Sequence, residues 1–149
     1  MSTRDELTER IADSMRDVIA GAVLTNERIA RGFGINVVDL QTLSVLMRGP
    51  EPLTPSQISQ RTELPTSTTT HVLDRLEAAG FIRRTPDPTD RRRVVIEPLP
   101  EKFVTEGGDP YGEIVADLRR MHEDFSVDEL QIVARYLGRL SSVGTPTVD

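Results

Sequence analysis

The sequence predicts a mainly α-helical fold that contains one small β-hairpin. Apolar residues recur at intervals of three and four through the first third of the chain and again near its end, as they do in amphipathic helices. Between these segments, residues 81–96 contain two short apolar stretches separated by a polar, proline-containing turn, which is the pattern of a β-hairpin. The 149 residues are enough for about one domain.

The composition excludes several kinds of chemistry. The chain has no cysteine and only two histidines, so disulfides, thiol redox sensing and cysteine-ligated metals are excluded, and we predict neither a metal nor a cofactor. His71 and His122 fall in separate predicted helices without evident acid partners, so we do not predict an enzyme. There is no apolar run of about 18 residues and no signal-peptide pattern, and we therefore expect a cytoplasmic protein that does not contact a membrane.

The N-terminal segment predicts two helices. The first is expected over about residues 5–31 and is ended by Gly32 and Gly34. It is much longer than the typical length of about 11 to 12 residues. Asn36 is the expected N-cap of a second helix, which has Asp39 at its third position and ends at 49–50. Its apolar face is predicted to contain Leu40, Leu43, Leu46 and Met47. Since a hydrophobic content of 37% is low for a self-sufficient core, we expect apolar surface to be buried between subunits.

The central segment predicts a helix-turn-helix. Thr54, Pro55 and Gln57 form a helix-start signature for a short helix that runs to about Arg61. A second helix is expected to begin at Pro65–Thr66 and to end at Gly80. The connection is short and the outer face of the second helix is polar, as in DNA-binding helix-turn-helix motifs. The inward side is predicted to consist of Val72, Leu73 and Leu76.

The hairpin and the tail follow. Residues 81–85 and 94–96 are the predicted strands, and the eight residues from Pro86 to Arg93 form a charged tip. We expect residues 106–110 to be a loop, and helical spacing resumes from about Tyr111 to Leu140. Within this segment we expect two helices, and Ser126 is the expected N-cap of the second, which has Glu129 at its third position. Residues 141–149 are expected to fray.

The charges are distributed unevenly. The formal net charge is -6, yet the segment from Arg75 to Arg93 has six arginines against three acidic residues. Phosphate binding depends on the local field and not on the total charge, so this segment is a candidate polyanion-binding surface. The alternative is an ordinary solvated surface with a local Asp90–Arg92 pair, worth about 0 to 1 kcal/mol. Three adjacent arginines cannot all pair with Asp87 and Asp90, which favours DNA contact.

The candidate DNA-binding residues lie in two groups. On the outer face of the second helix they are Thr66, Ser67, Thr68, Thr70, His71 and Arg75, which offer donors and acceptors to base edges or phosphates. Whether Arg75 would contact a guanine or a phosphate stays open at this point. At the hairpin tip they are Arg91, Arg92 and Arg93, because arginine gains from the strong negative potential of a narrow minor groove.

Two motifs follow each other in the central segment, Leu76-Glu77-x-x-Gly80-Phe81-Ile82-x-Arg84 and Asp87-Pro88-x-Asp90-Arg91-Arg92. In sequence and in spacing they resemble the MarR family of bacterial winged-helix transcription regulators. The resemblance is strong over about residues 36–97. It implies a winged helix-turn-helix in which the helix from Thr66 to Ala79 is the recognition helix. It also implies that Arg92 is the wing arginine that enters the minor groove, that Asp90 orients it, and that Arg84 and Asp74 hold the wing to the helix.

The resemblance further implies a homodimer whose N- and C-terminal helices interlock. The corresponding division of the chain is an N-terminal dimerisation helix at 1–34, a winged helix-turn-helix at 35–100, and C-terminal dimerisation helices at 101–149. One departure is that Pro98-Leu99-Pro100 and the break at 107–110 replace the direct run into a long helix that is usual in the family.

We therefore expect a homodimeric, sequence-specific DNA-binding regulator that acts as a repressor on a palindromic operator. From the resemblance we expect a small aromatic or phenolic ligand to modulate it. The alternative is a winged-helix protein-interaction module that works through its acidic surface and does not bind DNA.

Overall fold

Seven helices and two strands follow one another in a computed structural model that describes residues 3–105 and 111–143. The elements are α1 (Thr3–Gly32), α2 (Val37–Arg48), α3 (Pro55–Thr62), α4 (Thr66–Ala78), β1 (Ile82–Pro86), β2 (Val94–Pro98), α5 (Glu101–Thr105), α6 (Gly112–His122) and α7 (Val127–Leu140). The predicted loop at 106–110 and residues 144–149 of the predicted frayed end lie outside the described residues.

Helix capping explains where three of the helices begin. Asn36, Thr54 and Ser126 are confirmed as N-caps of α2, α3 and α7, and each forms a reciprocal capping box with the residue three positions later. In α2 the Asp39 backbone N–H donates to Asn36 Oδ1 at 2.9 Å. The helix α1 begins two residues before the predicted start and includes Gly32, and Gly34, with φ of 67°, turns the chain away after it.

The hairpin is antiparallel, and its register pairs Ile82 with Pro98 and Pro86 with Val94. Both predicted strands are confirmed and extend to Pro86 and Pro98. The segment before α3 adds a single bridge to the hairpin, because the Ile96 N–H donates to the Leu53 carbonyl at 2.8 Å. This bridge joins the base of the wing to the helix-turn-helix.

The core lies where α2, α3, α4 and the hairpin meet. The predicted inward residues Val72, Leu73 and Leu76 of α4 are completely buried. Around them the core contains Leu43, Leu46, Leu53, Ile58, Phe81, Ile82, Ile96 and Phe103. Leu40, Leu43 and Leu46 of the predicted apolar face are buried, whereas Met47 is 48% exposed. Met47 lies on the same side of the helix as Leu40, seven residues earlier, but in the last turn of α2, which ends at Arg48.

The short helix α5 was not predicted, because the two prolines before it suggest only a break. Its buried Phe103 packs against Phe33 and Phe81, with ring centroids 5.0 and 5.2 Å apart. Phe33 and Phe81 are 5.9 Å apart and nearly perpendicular. The three rings hold the end of α1, the base of the hairpin and α5 together.

The remaining helices leave apolar side chains uncovered. In α1 the exposed apolar residues are Leu7, Ile11, Val18, Ile19, Val23 and Leu24. The chain divides into two compact units after residue 107, and α6 and α7 belong to the second unit. Neither helix has a buried residue, and Leu118, Met121, Val133 and Leu137 are among their exposed side chains. None of the described helices is long and apolar enough to cross a membrane.

The turn between α3 and α4 includes one residue, Glu63, in an unfavourable backbone conformation. Glu63 adopts φ of 57° and ψ of 20°, the left-handed region that disfavours residues with a side chain. Ser59 stabilises this turn by donating from its hydroxyl to the Leu64 carbonyl at 2.6 Å.

Glycine at position 63 removes the steric cost of the left-handed conformation but makes the unfolded chain more flexible. We therefore expect Glu63→Gly to leave the free energy of unfolding unchanged or to raise it by up to about 1 kcal/mol. Urea denaturation of the full chain measures this. The matched control is Gln60→Gly within α3, which should lower the same free energy by about 1 kcal/mol. Equal losses in the two variants would contradict this interpretation of Glu63.

Candidate nucleic-acid interface

The rotation of α4 determines which side chains face outward. Because Val72, Leu73 and Leu76 are buried, the opposite face points to solvent. Of the six candidate DNA-binding residues on α4, five are exposed, namely Thr66, Ser67, Thr70, His71 and Arg75, and Thr68 is half-buried. Thr69, which was not a candidate, is buried and donates to the Pro65 carbonyl at 3.1 Å.

The beginning of α4 differs from the beginnings of α2 and α3. Pro65 takes the N-cap position and provides no side-chain cap, so the first-turn N–H groups remain available to an anion. The exposed hydroxyls there are not equivalent. Thr70 Oγ1 donates to the Thr66 carbonyl at 3.0 Å, so this hydroxyl can accept a hydrogen bond but its proton is already used.

Arg75 is held by a residue that the sequence analysis assigned only to helix capping. The Asp39 side chain is 2% exposed, and its Oδ1 accepts from Arg75 Nη2 at 2.7 Å. Arg75 Nε lies 3.2 Å from both carboxylate oxygens. The hydrogen bonds that Arg75 donates to Asp39 raise the pKa of Arg75 and outweigh the effect of burial. The two residues are 36 positions apart, and no local pattern links them.

Arg84 joins the hairpin to α4. Its Nη2 lies 2.7 Å from Asp74 Oδ1, and its Nη1 forms a second ion pair with Glu77. The Arg84 backbone N–H also donates to Glu77 Oε1 at 3.3 Å. Sequence reasoning missed Glu77, although its position one turn after Asp74 places both carboxylates on the same side of the helix.

The wing tip is closed by short-range hydrogen bonds. The Asp87 carboxylate accepts from the backbone N–H and the hydroxyl of Thr89, both at 2.8 Å, and these bonds lower its pKa. Across the tip, the Asp87 N–H donates to the Arg93 carbonyl at 2.9 Å. Asp90 accepts from the backbone N–H of Arg92 at 3.1 Å, so its hydrogen bond is to the main chain of Arg92 and not to the guanidinium.

Within the described residues the wing arginines Arg91, Arg92 and Arg93 take part in no salt bridge, although the charge of Arg93 helps to lower the pKa of Asp87. By contrast, Arg83 on β1 pairs with Glu97 at 2.7 Å. All three wing arginines are exposed. Arg93 also lines a groove of about 380 Å³ between the wing and the start of α3, together with Glu51, Thr54 and Gln57. Arg91 and Arg92 are not among its lining residues.

Residues 3–105 and 111–143 contain no group of three or more His, Asp or Glu side chains that could hold a metal ion. The arrangement around α4 and the hairpin is instead that of a winged helix-turn-helix protein. A helix start without a side-chain cap, an exposed polar helix face and exposed arginines at the hairpin tip all lie on the winged helix-turn-helix.

Comparisons with known proteins agree with this class. A family model described as MarR family matches residues 33–93. The HTH-type transcriptional regulator YcgE of Bacillus subtilis, itself described as uncharacterized, is 31% identical over 144 residues, which are 95% of this chain and 91% of YcgE. The chain therefore belongs to the MarR family of winged-helix transcriptional regulators, which are not enzymes.

Two solved structures have the same fold. FabT of Streptococcus pneumoniae in complex with DNA aligns with a TM-score of 0.68 and 23% identity, covering 90% of this chain and 94% of FabT. CouR of Rhodococcus jostii RHA1 bound to p-coumaroyl-CoA aligns with a TM-score of 0.66 and 22% identity, covering 96% and 97% of the two chains.

Arg84 should couple the wing to α4 energetically. In a double-mutant cycle of Arg84→Ala and Glu77→Ala, we expect a coupling energy of about 0.5 to 1 kcal/mol, because the Arg84 side chain is only 29% exposed. Urea denaturation of the four proteins provides the measurement. The control cycle uses Arg16 and Asp13 on α1, which are 71% and 69% exposed and should couple by close to zero. Equal coupling in the two cycles would mean that the contact between Arg84 and Glu77 does not stabilise the attachment of the wing.

Proposed function

We propose that this chain is a homodimeric regulator that binds a palindromic operator in duplex DNA and represses transcription. In each protomer α4 enters the major groove, and the wing reaches the adjacent minor groove with Arg92.

The observation that supports this proposal best is the charge distribution around α4. The nearby acids Asp39, Asp74 and Glu77 are paired with Arg75 and Arg84. Of the arginines from Arg75 to Arg93, those that form no salt bridge within the described residues are Arg91, Arg92 and Arg93, so the surface attracts a polyanion despite the net charge of -6.

The proposed contacts divide between backbone and bases. The free N–H groups at the start of α4, with Thr66 and Ser67, suit a phosphate oxygen. Thr68, Thr70, His71 and Arg75 are proposed to face the base edges. Arg91 and Arg93 would add phosphate contacts beside the minor groove. Arg84 and Asp74 would keep the wing at a fixed distance from the helix, and Asp90 would fix the main chain at Arg92.

The homodimer is proposed because two recognition helices must reach successive major grooves, which are about 34 Å apart. The exposed apolar faces of α1, α6 and α7 are the proposed dimerisation surfaces, since surface of this kind is usually covered by a partner. Residues 1–34 and 101–149 would then provide the dimer helices around the winged helix-turn-helix at 35–100. A second copy of the chain is the expected occupant.

A small aromatic or phenolic ligand is the proposed effector, and it would act by changing the separation of the two recognition helices. Its support is the family, since CouR is similar in fold and was solved with p-coumaroyl-CoA. A thiol switch is not open to this chain, because it has no cysteine. A regulator of chromosomal genes acts where the chromosome is, so we propose the cytoplasm as its location.

Loss of one wing arginine should reduce both affinity and salt dependence. Each neutralised phosphate contributes about -0.9 to the slope of log K against log salt. Arg92→Ala removes one cation from each half of the dimer, so we expect the slope to become shallower by about 2 and the affinity for A·T-flanked sites to fall. Fluorescence anisotropy of labelled operator duplex over a range of salt concentrations measures both quantities.

The control variant is Arg83→Ala on the same hairpin, whose charge is already paired with Glu97, and it should leave the slope nearly unchanged. An unchanged slope in Arg92→Ala would contradict minor-groove contact by this residue. No binding of any duplex at low salt, together with tight binding of a protein partner to the acidic surface, would instead support the interaction-module alternative.

The proposed dimer can be tested on α7. Leu137 is 50% exposed and lies on the apolar face, so Leu137→Asp places a charge in the proposed interface. We expect the dimer dissociation constant from analytical ultracentrifugation to rise by about 30-fold or more, as for a central interface residue. Gln131→Asp on the opposite, polar face of the same helix is the control and should change it little. Equal effects of the two substitutions would contradict the assignment of this face.

A further inference from the structure

The contact between Asp39 and Arg75 connects the start of α2 with the outer face of α4. We propose that Asp39 is a positioning residue that fixes the Arg75 guanidinium, and that Arg75 in this orientation reads a guanine in the major groove. The inference rests on the proposed function, because it requires that α4 enter a major groove.

Asp39 occupies only one edge of the guanidinium. Its carboxylate accepts from Nε at 3.2 Å and from Nη2 at 2.7 Å. An arginine side chain has five N–H donors, so both donors of Nη1 and the second donor of Nη2 remain. These include the terminal fork, with one N–H from each Nη atom. This fork is the part of arginine that matches the O6 and N7 acceptors of guanine.

The two ends of the contact differ in exposure. The Asp39 side chain is 2% exposed, and its Oδ2 also accepts from the Asn36 backbone N–H at 3.4 Å as part of the α2 capping box. The Arg75 side chain is 48% exposed and lies one turn after His71 on the outer face of α4. A rigid acceptor therefore holds a donor that solvent, or a ligand, can reach. Since folding has already restricted the arginine, less side-chain freedom is lost on binding.

The pairing favours a base over a phosphate as the target. The Asp39 carboxylate offsets the charge of Arg75, and this weakens its attraction to the phosphate backbone. A guanine edge is recognised through the direction of two hydrogen bonds, which the pairing fixes. Arg91 and Arg92 are better suited to bind phosphate, because they have no salt-bridge partner within the described ranges.

Selection of bound sites from random duplex DNA tests the proposal with the full-length protein. Wild type should select guanine at one position in each half-site. Arg75→Lys keeps the charge but lacks the fork, so the preference for guanine at that position should fall by about 5-fold to 100-fold. Other positions and the salt slope should stay as in wild type. The control is Arg83→Lys, an arginine with an acidic partner on the hairpin, which should leave every base preference unchanged.

A substitution at Asp39 tests separately whether this residue positions Arg75. Asp39→Asn keeps the shape but loses the charge-assisted contact, so it should relax the same single position while α4 and its other contacts remain. If circular dichroism shows that Asp39→Asn does not fold, the double variant Asp39→Asn with Arg75→Gln removes both charges while allowing a neutral hydrogen bond. It should also lose the guanine preference.

Three results would overturn the proposal. In the first, Arg75→Lys keeps the guanine preference. In the second, the double variant loses affinity equally for all sequences and shows a shallower salt slope, which indicates a phosphate contact. In the third, wild type selects no sequence, which contradicts the proposed function as well. The first two leave the proposed function intact.

Discussion

Burial of one side of α4 is the constraint on which the rest of the structure depends. Val72, Leu73 and Leu76 have no solvent exposure, and full burial of such side chains stabilises a fold by about 1.5 to 3 kcal/mol each. A rotation of α4 by one residue, or about 100°, would expose part of this face. The apolar contacts therefore set which residues point outward, and the polar contacts of Arg75 and Arg84 then fix how those residues are held.

Electrostatics around the helix follows from this arrangement. The buried Asp39 and the exposed Asp74 and Glu77 are paired with arginines of the same lobe, and the tip of the hairpin is rich in arginine. The rest of the protein has a surplus of negative charge, which repels the phosphate backbone. In the proposed complex, this distribution of charge would confine DNA contact to a small part of the surface.

The sequence predicted those features that depend on neighbouring residues. The capping boxes at Asn36 and Thr54, the buried face of α4 and the hairpin strands all follow from local patterns, and all are present. The misses involve contacts between distant residues. The Asp39–Arg75 pair spans 36 positions, and α5 forms because Phe103 finds Phe33 and Phe81, not because its five residues favour a helix. Propensity alone could not have identified either feature.

The exposed edges of the hairpin could pair with strands of other molecules. Apart from the bridge between Leu53 and Ile96, the two-stranded sheet has unpaired backbone groups along its edges, and such edges can pair with strands of neighbouring molecules and cause aggregation. Here β1 ends at Pro86 and β2 at Pro98, which lack an N–H to donate. Arg83 and Arg84 lie on β1, and the three arginines of the tip repel a second tip of like charge. The arginines that we propose to contact DNA would therefore also disfavour edge-to-edge pairing between molecules of this protein at high concentration.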